Sequence, residues 1–195
     1  DDGYITGNVT STDIDHDATA VFSFDTTQGT YGAISMDSVN ELWTYTMAER
    51  VATLSVDEDV TDTFVITVTD DQSAIATQTI MVTIEGENDD PVLAGTFSGS
   101  KTEDDGYITG NVTSTDSDHD ATLVFSFGTT EGTYGDISMD SDNDLWIYTM
   151  AERVATLNAD EDVTDTFVLT ITDDQSAIVT QTITVTVEGE NDAPV

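Results

Sequence analysis

The chain has 195 residues, of which 40 are acidic and three are basic, so its formal net charge at pH 7 is −37. This charge excludes nucleic acid phosphates and anionic membrane surfaces as favourable partners and makes cations the expected ones. The hydrophobic fraction of 37% favours a folded core over a disordered acidic chain, and the absence of cysteine excludes disulfides and thiolate metal sites. No apolar run approaches the roughly 20 residues that would cross a bilayer, so we expect no direct membrane insertion.

The sequence is a tandem repeat. Residues 1–92 align without a gap onto residues 104–195, and 76 of the 92 aligned positions are identical. This predicts two domains, residues 1–91 and 92–195, joined by a short acidic linker. The segment 93–103, LAGTFSGSKTE, has no counterpart before Asp1. We expect it to supply the opening strand of the second domain, and we expect the first domain to lack that strand here or to be completed by residues outside this chain.

Within each repeat the apolar residues alternate with a period of two, which indicates half-buried antiparallel strands. Phe64, Ile66 and Val68 share one face of one strand, and Ile80, Val82 and Ile84 share one face of another. Only residues 47–54 have a pattern that allows a helical turn. In chain order, the predicted strands of the first repeat lie near residues 3–10, 18–24, 31–36, 42–47, 63–69 and 79–84.

The differences between the two copies support this assignment of faces. The inward positions exchange only aliphatic residues, such as Ile66 for Leu169, whereas the outward Met81 becomes Thr184. With a further strand at 93–100, each repeat has about seven strands, which predicts an all-β fold of two tandem immunoglobulin-like antiparallel β-sandwiches. Trp43 and Trp146 lie in this alternation, so we expect them in the core; stacking on a sugar in a lectin-like site is the alternative.

The acidic residues cluster in the loops. In such a sandwich, the loops after the second and sixth strands lie at the upper end, where the chain enters, and the loops after the first and fifth strands lie at the lower end, where it leaves. The upper clusters are Asp13, Asp15, Asp17, Asp70 and Asp71, and in the second repeat Asp116, Asp118, Asp120, Asp173 and Asp174. The lower clusters are Asp57, Glu58, Asp59, Glu87, Asn88, Asp89 and Asp90, and in the second repeat Asp160, Glu161, Asp162, Glu190, Asn191 and Asp192.

Head-to-tail stacking of the two domains would concentrate this acid at their junction, and calcium suits it chemically. Calcium takes six to eight oxygen ligands in flexible geometry, whereas magnesium requires a strict octahedron and sheds water reluctantly. Zinc would need nitrogen or sulfur, which only His16 and His119 could offer. The alternative is that the acidic loops are merely solvated, but convergence of several clusters favours a bound ion.

Several segments also carry a family resemblance that covers essentially the whole chain. The runs GTYGAISMDSVNELWTYTM and VTDTFVITVTDDQSAIATQTIMVTIEGENDDPV resemble the VCBS-type, cadherin-like repeats of giant bacterial RTX adhesins, and the ending Glu-Asn-Asp-x-Pro-Val resembles the calcium linker of cadherins. The resemblance implies a secreted protein of the bacterial cell surface whose repeats act as calcium-stiffened extenders. Its partners would be calcium ions and the neighbouring repeats of the same chain, and we expect a monomer. A ligand role for Glu103 would apply only to the second domain.

Two other functional classes fit the sequence less well. An enzyme would need a nucleophile with a base, or two carboxylates in a cleft, and we expect none because His16 lies in an acidic loop where a solvent-facing role is typical. A ligand-binding adhesin module that recognises carbohydrate or protein is the main alternative to a spacer. The near-identity of the two copies favours the spacer, because a binding tip is usually a single, distinctive domain.

Overall fold

A computed structural model describes residues 3–14 and 19–193. The chain divides into two units, residues 1–88 and 89–195; the repeat pattern of the sequence predicts the division after residue 91. Each unit consists of β-strands with short 3-10 helices. None of the helices in these described ranges is long and apolar enough to span a membrane.

The first unit contains six described strands in two three-stranded antiparallel sheets, with the orders β1-β4-β3 and β2-β5-β6. Residues of both sheets pack into one core. Ile34 and Tyr45 belong to one sheet, and Phe64 and Val82 belong to the other. The elements are β1 (Tyr4–Asn8), β2 (Ala20–Phe24), β3 (Gly32–Asp37), β4 (Leu42–Met47), a 3-10 helix (Glu49–Thr53), β5 (Val60–Asp70) and β6 (Ile75–Ile84). The predicted helical turn is therefore confirmed as a 3-10 helix.

The second unit contains eight strands in two four-stranded sheets, with the orders β11-β12-β9-β7 and β10-β13-β14-β8. All pairings in this unit are antiparallel except that of β8 with β14, which is parallel. The elements are β7 (Val92–Gly95), β8 (Ser98–Thr102), a 3-10 helix (Glu103–Asp105), β9 (Tyr107–Thr115), β10 (Val124–Phe127), β11 (Gly135–Asp140), β12 (Leu145–Met150), a 3-10 helix (Glu152–Val154), β13 (Asp162–Thr172) and β14 (Ile178–Glu188).

The segment predicted as one strand over residues 93–100 forms two strands in different sheets. β7 pairs with β9 at the edge of one sheet, and β8 pairs with β14 at the edge of the other. Gly95, the last residue of β7, has a φ of 143°, a conformation that favours glycine, and a Cβ there would collide with the carbonyl oxygen of Asn111. The chain therefore crosses from one sheet to the other at this glycine, and that crossing interrupts the strand.

The period-two alternation determines which residues form the core. Phe64 and Ile66 are buried, as predicted, whereas Met81 is 69% exposed. In the second unit Trp146 is fully buried beside Tyr148 and Phe167, so its predicted core position is confirmed. A fully buried indole cannot stack on a sugar, and this excludes the lectin-like alternative for Trp146.

A buried aspartate anchors the loop that precedes one edge strand in each unit. The Asp62 carboxylate accepts hydrogen bonds from the backbone N–H groups of Thr30 (2.8 Å) and Tyr31 (2.8 Å) and from the Tyr45 hydroxyl (2.6 Å). A Cβ at Gly29 would collide with this carboxylate, which explains the glycine at that position. The Gly-Thr-Tyr-Gly motif therefore binds a strand aspartate through its backbone.

The second unit repeats this arrangement with Asp165. Its carboxylate accepts hydrogen bonds from the N–H groups of Thr133 (2.9 Å) and Tyr134 (2.8 Å) and from the Tyr148 hydroxyl (2.8 Å). Burial, and then the hydrogen bond to Asp165, raise the pKa of Tyr148, so this tyrosine stays protonated and continues to donate. We refer to the two arrangements as the aspartate clasps.

Candidate metal centre

Two aspartates of the loop after β9 lie close together at the upper end of the second unit. The backbone N–H of Asp118 donates to Oδ1 of Asp116 at 2.9 Å, which bends the loop after the end of β9. Oδ2 of Asp118 accepts a hydrogen bond from the backbone N–H of Asp89 at 2.9 Å. Asp118 is only 9% exposed, so its carboxylate is withdrawn from solvent while it contacts the segment that leads into β7.

A third aspartate of this region, Asp173, follows the end of β13. Its Oδ1 accepts hydrogen bonds from the backbone N–H groups of Gln175 (3.0 Å) and Ala177 (2.7 Å), and these bonds order the turn that leads into β14. Asp173 is 6% exposed. The turn thus holds a buried carboxyl group at the same end of the unit as the loop after β9.

The electrostatics link these carboxylates into one cluster. Burial raises the pKa of Asp118, and the negative charges of Asp116, Asp89 and Asp173 raise it further, against the opposing hydrogen bond from the Asp89 N–H. Each of these groups therefore makes the ionised form of Asp118 less favourable. A cation at this position would reverse the effect, because it would attract every carboxylate of the cluster.

Two oxygens of the cluster lack a hydrogen-bond donor. Oδ2 of Asp116 and Oδ1 of Asp118 are both buried and accept no hydrogen bond from the described residues. A buried polar atom without a partner costs free energy, and an anionic oxygen costs more than a neutral one. These atoms are hard oxygen donors of the kind that calcium binds, so the chemistry of the donor set, though not a complete shell, fits a calcium ion.

The cluster does not form a complete coordination shell. Within residues 3–14 and 19–193, no group of three or more Asp, Glu or His side chains is arranged so that it could hold a metal ion. The other predicted upper residues lie at the surface: Asp174 accepts a hydrogen bond from the N–H of Thr122 at 3.3 Å, and Asp120 is exposed with a φ of 58°. His119 lies 3.7 Å from the Asp120 carboxylate and is also exposed.

At the lower end of the second unit, Glu103 is buried and holds two chain segments together. Its carboxylate accepts hydrogen bonds from the N–H groups of Leu157 (3.1 Å) and Glu190 (2.8 Å). Hydrogen bonds from the backbone and side chain of Asn158 lower the pKa of Glu161. The structure thus brings the Glu103 carboxylate to the backbone of Glu190, and the backbone carbonyl oxygen of Glu161 accepts a hydrogen bond from the N–H of Gly189 at 3.2 Å. The other predicted residues of this end are exposed: Asp160, Asp162, Asn191 and Asp192.

In the first unit, the predicted upper residues can be compared only in part, because Asp15, His16 and Asp17 lie outside the described residues. Asp13 and Asp70 line one groove of about 200 Å³. Oδ1 of Asp70 accepts hydrogen bonds from the N–H groups of Gln72 and Ala74, as Asp173 does in its own turn. Asp71 is exposed beside Gln72.

The predicted lower residues of the first unit form a looser group. Glu58 is half-buried and accepts a hydrogen bond from the N–H of Ser55 at 3.1 Å. Asn88 is half-buried as well. The remaining members are exposed, and Asp57 has a φ of 71°: Asp57, Asp59, Glu87, Asp89 and Asp90. That the acidic clusters of the two domains meet at a junction stays a prediction.

Sequence reasoning missed the two aspartate clasps. A signal for them exists, because Asp62 shares a strand face with Phe64 and Ile66, and Asp165 shares one with Phe167 and Leu169. An acidic residue on an inward face must have hydrogen-bond donors. That rule would have separated these two residues from the acidic residues of the loops.

Solved structures similar to the chain are cadherin ectodomains. A structure of protocadherin gamma B2 extracellular cadherin domains 3–6 is 15% identical, with a TM-score of 0.49; the match covers 90% of this chain and 42% of that one. A structure of mouse cadherin-23 EC22–24 is 14% identical, with a TM-score of 0.44; the match covers 91% of this chain and 56% of that one. The chain thus spans about half of the length of these two structures.

Sequence comparison identifies the family. No curated protein sequence matches the chain. The family model that matches is described as the bacterial cadherin-like domain, and it covers residues 88–189. This range contains all the strands of the second unit and more than half of the chain. The chain therefore belongs to the bacterial cadherin-like domain family, a family of adhesion-type extracellular modules.

Proposed function

We propose that the two repeats bind calcium and act as calcium-stiffened extender domains of a large, secreted adhesin of the bacterial cell surface. The observation that carries this proposal is the Asp118 carboxylate, which is buried among three other acidic residues with one oxygen lacking a donor. A buried anion with like-charged neighbours is unfavourable unless a cation accompanies it. The net charge of −37 further favours cation binding.

The residues that would hold calcium in the second unit are Asp116, Asp118, Asp173 and Asp89. All four offer oxygen ligands, and exposed loops allow the further ligands and waters that calcium accepts. When bound, the ion would neutralise the repulsion within the cluster. The backbone hydrogen bonds to Asp173 and between Asp118 and Asp116 hold the two loops in position before any ion binds. The repeat implies a similar role for Asp13, Asp15, Asp17, Asp70 and Asp71 in the first unit.

The stiffening follows from the contact between Asp89 and Asp118. The Asp89 N–H binds the Asp118 carboxylate, so the linker segment before β7 is attached to the loop that carries the proposed ligands. An ion that fixes this loop would also fix the path of the linker. Repeats joined in this way would hold a distant binding domain away from the cell. The resemblance to the VCBS-type repeats of RTX adhesins supports this role, as does membership of a cadherin-like family.

Calcium titration by calorimetry tests the proposal. Asp118→Asn keeps the size of the side chain and its acceptor for the Asp89 N–H but removes the charge, so we expect calcium to bind at least about tenfold more weakly at one site. Asp136→Asn is the matched control, because Asp136 is an exposed residue of β11 and its neutralisation removes only a solvated charge. Equal calcium affinities in the two variants, or no calcium binding by the unmodified chain, would refute the proposed site.

A further inference from the structure

One sheet of each unit has an outward face without charged side chains. In the second unit this face lies on β10, β13 and β14, and we call it the threonine face. In β13 its residues alternate with buried ones, so they point away from the core. None of its twelve residues is buried. The face consists of Val124, Ser126, Thr164, Thr166, Val168, Thr170, Thr172, Ile178, Thr180, Thr182, Thr184 and Thr186.

The strand register makes the threonine face continuous. Thr172 pairs with Val124 on one side and with Ile178 on the other, and the rows below it follow the same register. The first unit has the same face on β2, β5 and β6, again with no buried residue. Its members are Val21, Ser23, Thr61, Thr63, Val65, Thr67, Thr69, Ile75, Thr77, Thr79, Met81 and Thr83. Each unit thus presents one uncharged sheet face.

Acidic residues lie at the end of the threonine face and on the outward face of the other sheet. Asp162 pairs with Glu188 at the lower end of the same sheet. In the other sheet, the outward positions of β11 include Asp136 and Asp140. Because the chain has 40 acidic residues and three basic ones, two copies repel each other in most orientations. The repulsion is smallest where two threonine faces meet, since neither face brings a carboxylate.

The threonine face is also suited to packing against a partner. Val124 and Ile178 are 64% and 62% exposed, so covering them removes apolar surface from water. All ten of its residues in β13 and β14 are β-branched. Such side chains are stiff at χ1 and lose little conformational entropy when they are covered. The hydroxyl groups of Thr164 and Thr186 already hydrogen-bond to each other at 3.4 Å.

We propose that the threonine face is a contact surface between copies of this chain, with the faces of two copies stacked sheet on sheet. Stacked sheets lie about 10 Å apart with their strands aligned to within about 30°, and side chains of this size fill that distance. Charge selects a second copy as the occupant. A basic partner would gain more at the acidic surfaces, and an acidic partner would be repelled by them.

The size of the face makes the association weak. Twelve residues on each side are fewer than the roughly 20–30 of a standard protein interface. A chain free in solution is therefore a monomer at low concentration, and it associates when copies are concentrated. On a cell surface, which the proposed function implies, neighbouring copies are held at such concentrations. The contact would then join extender repeats side by side.

Sedimentation equilibrium of the intact chain, at up to about 1 mM, tests the contact. We expect reversible self-association that is stronger in about 0.5 M NaCl than at low salt, because salt screens the carboxylates around the face. Thr79→Glu with Thr182→Glu places a carboxylate in each face and should weaken the association at least about tenfold. Thr6→Glu with Thr109→Glu is the matched control, because it adds the same charge to exposed positions of β1 and β9 in the other sheets.

Cross-linking gives a second readout that does not depend on added charge. The chain has no cysteine, so Thr79→Cys with Thr182→Cys introduces thiols in the two faces only. A short bis-maleimide should cross-link this variant into dimers far faster than the control, Thr6→Cys with Thr109→Cys. The proposal is overturned if the paired variants behave alike in either experiment, or if the unmodified chain stays monomeric at about 1 mM in both salts. It is also overturned if an uncharged glucan such as dextran, and no second copy, protects the thiols of the faces.

Discussion

At the scale of single residues, the aspartate clasps are the clearest determinants of stability. Asp165 is buried and accepts three hydrogen bonds, two of them from backbone N–H groups of the loop before β11. Asp165→Ala should therefore lower the free energy of unfolding of the second unit by about 2–4 kcal/mol, since an unsatisfied buried donor costs about 1–3 kcal/mol. Urea denaturation measures this loss.

The control for this prediction is Tyr148→Phe, which removes only the hydroxyl donor and keeps the ring in the core. Its cost should be about 1 kcal/mol, the usual net contribution of one hydrogen bond. If Asp165→Ala were no more destabilising than Tyr148→Phe, the backbone contacts of the carboxylate would contribute nothing and the clasp would not hold the loop.

The clasp of the first unit also predicts a pH dependence. Burial raises the pKa of Asp62, but the hydrogen bonds from Tyr45, Tyr31 and Thr30 outweigh this effect and hold the pKa below its ordinary value. An aspartate whose pKa is lower in the folded state stabilises the fold above the unfolded value of about 4, and this contribution is lost as the pH falls through the folded value. The difference in the free energy of unfolding between the unmodified chain and Asp62→Asn should therefore be constant between about pH 5 and 7.

Below about pH 4 this difference in the free energy of unfolding should become smaller, because protonation of Asp62 removes the charge that distinguishes it from asparagine. Comparing the two proteins at each pH cancels the titration of the other carboxylates, which they share. A gap that stays the same down to about pH 2 would show that Asp62 is not stabilised as an anion.

At the scale of strands and loops, the contact between β8 and β9 is tight at Gly99. A Cβ at this position would lie 2.5 Å from Cγ2 of Ile108, a branched and buried side chain that cannot rotate away. Gly99→Ala should therefore destabilise the second unit by about 1–3 kcal/mol, the usual cost of overpacking. Gly128→Ala should change the stability by less than about 0.5 kcal/mol, because no atom lies within 4 Å of its added Cβ.

Thermal unfolding of the two glycine variants gives this comparison directly. Equal melting temperatures would mean that β8 moves away from β9 at little cost. In that case residues 92–102 would not be packed closely against Trp146 in the second unit.

The strand pattern could be predicted from the sequence most clearly where one face of a strand is buried and the other is not, as in β5 and β13. The alternation around Phe64 and Ile66 determines both the strand and its facing, and the copies agree on it. The segment 93–100 could not be divided correctly, since the crossing at Gly95 depends on a backbone conformation and a close approach to Asn111 that no periodicity records. Its parallel pairing with β14 is likewise a long-range contact.

The acidic loops could be predicted as a group but not sorted individually. Asp118 is buried and Asp120 is exposed, although they alternate in the same short segment. The difference arises because the Asp118 carboxylate accepts the Asp89 N–H, a contact between residues that are distant in the sequence. Loop residues are positioned by such contacts, and composition alone does not specify them.

At the scale of the whole molecule, the dominant feature is the net charge of −37. The negative charges of closely packed repeats repel one another, and bound cations weaken this repulsion. Calcium that binds only the folded chain stabilises it by mass action, by about 2.7 kcal/mol per site at a concentration one hundred times the Kd. If calcium binds as proposed, it would stabilise each folded repeat and restrain the linker between repeats.

Small-angle X-ray scattering of the intact chain in millimolar calcium and in chelator tests the extender role most directly. If calcium fixes the linker through the loop of Asp118, the maximum dimension should be longer and the distribution of pair distances narrower in calcium than in chelator. Circular dichroism on the same samples establishes that the strands stay folded in both conditions. Identical scattering profiles from folded protein, with and without calcium, would contradict the account.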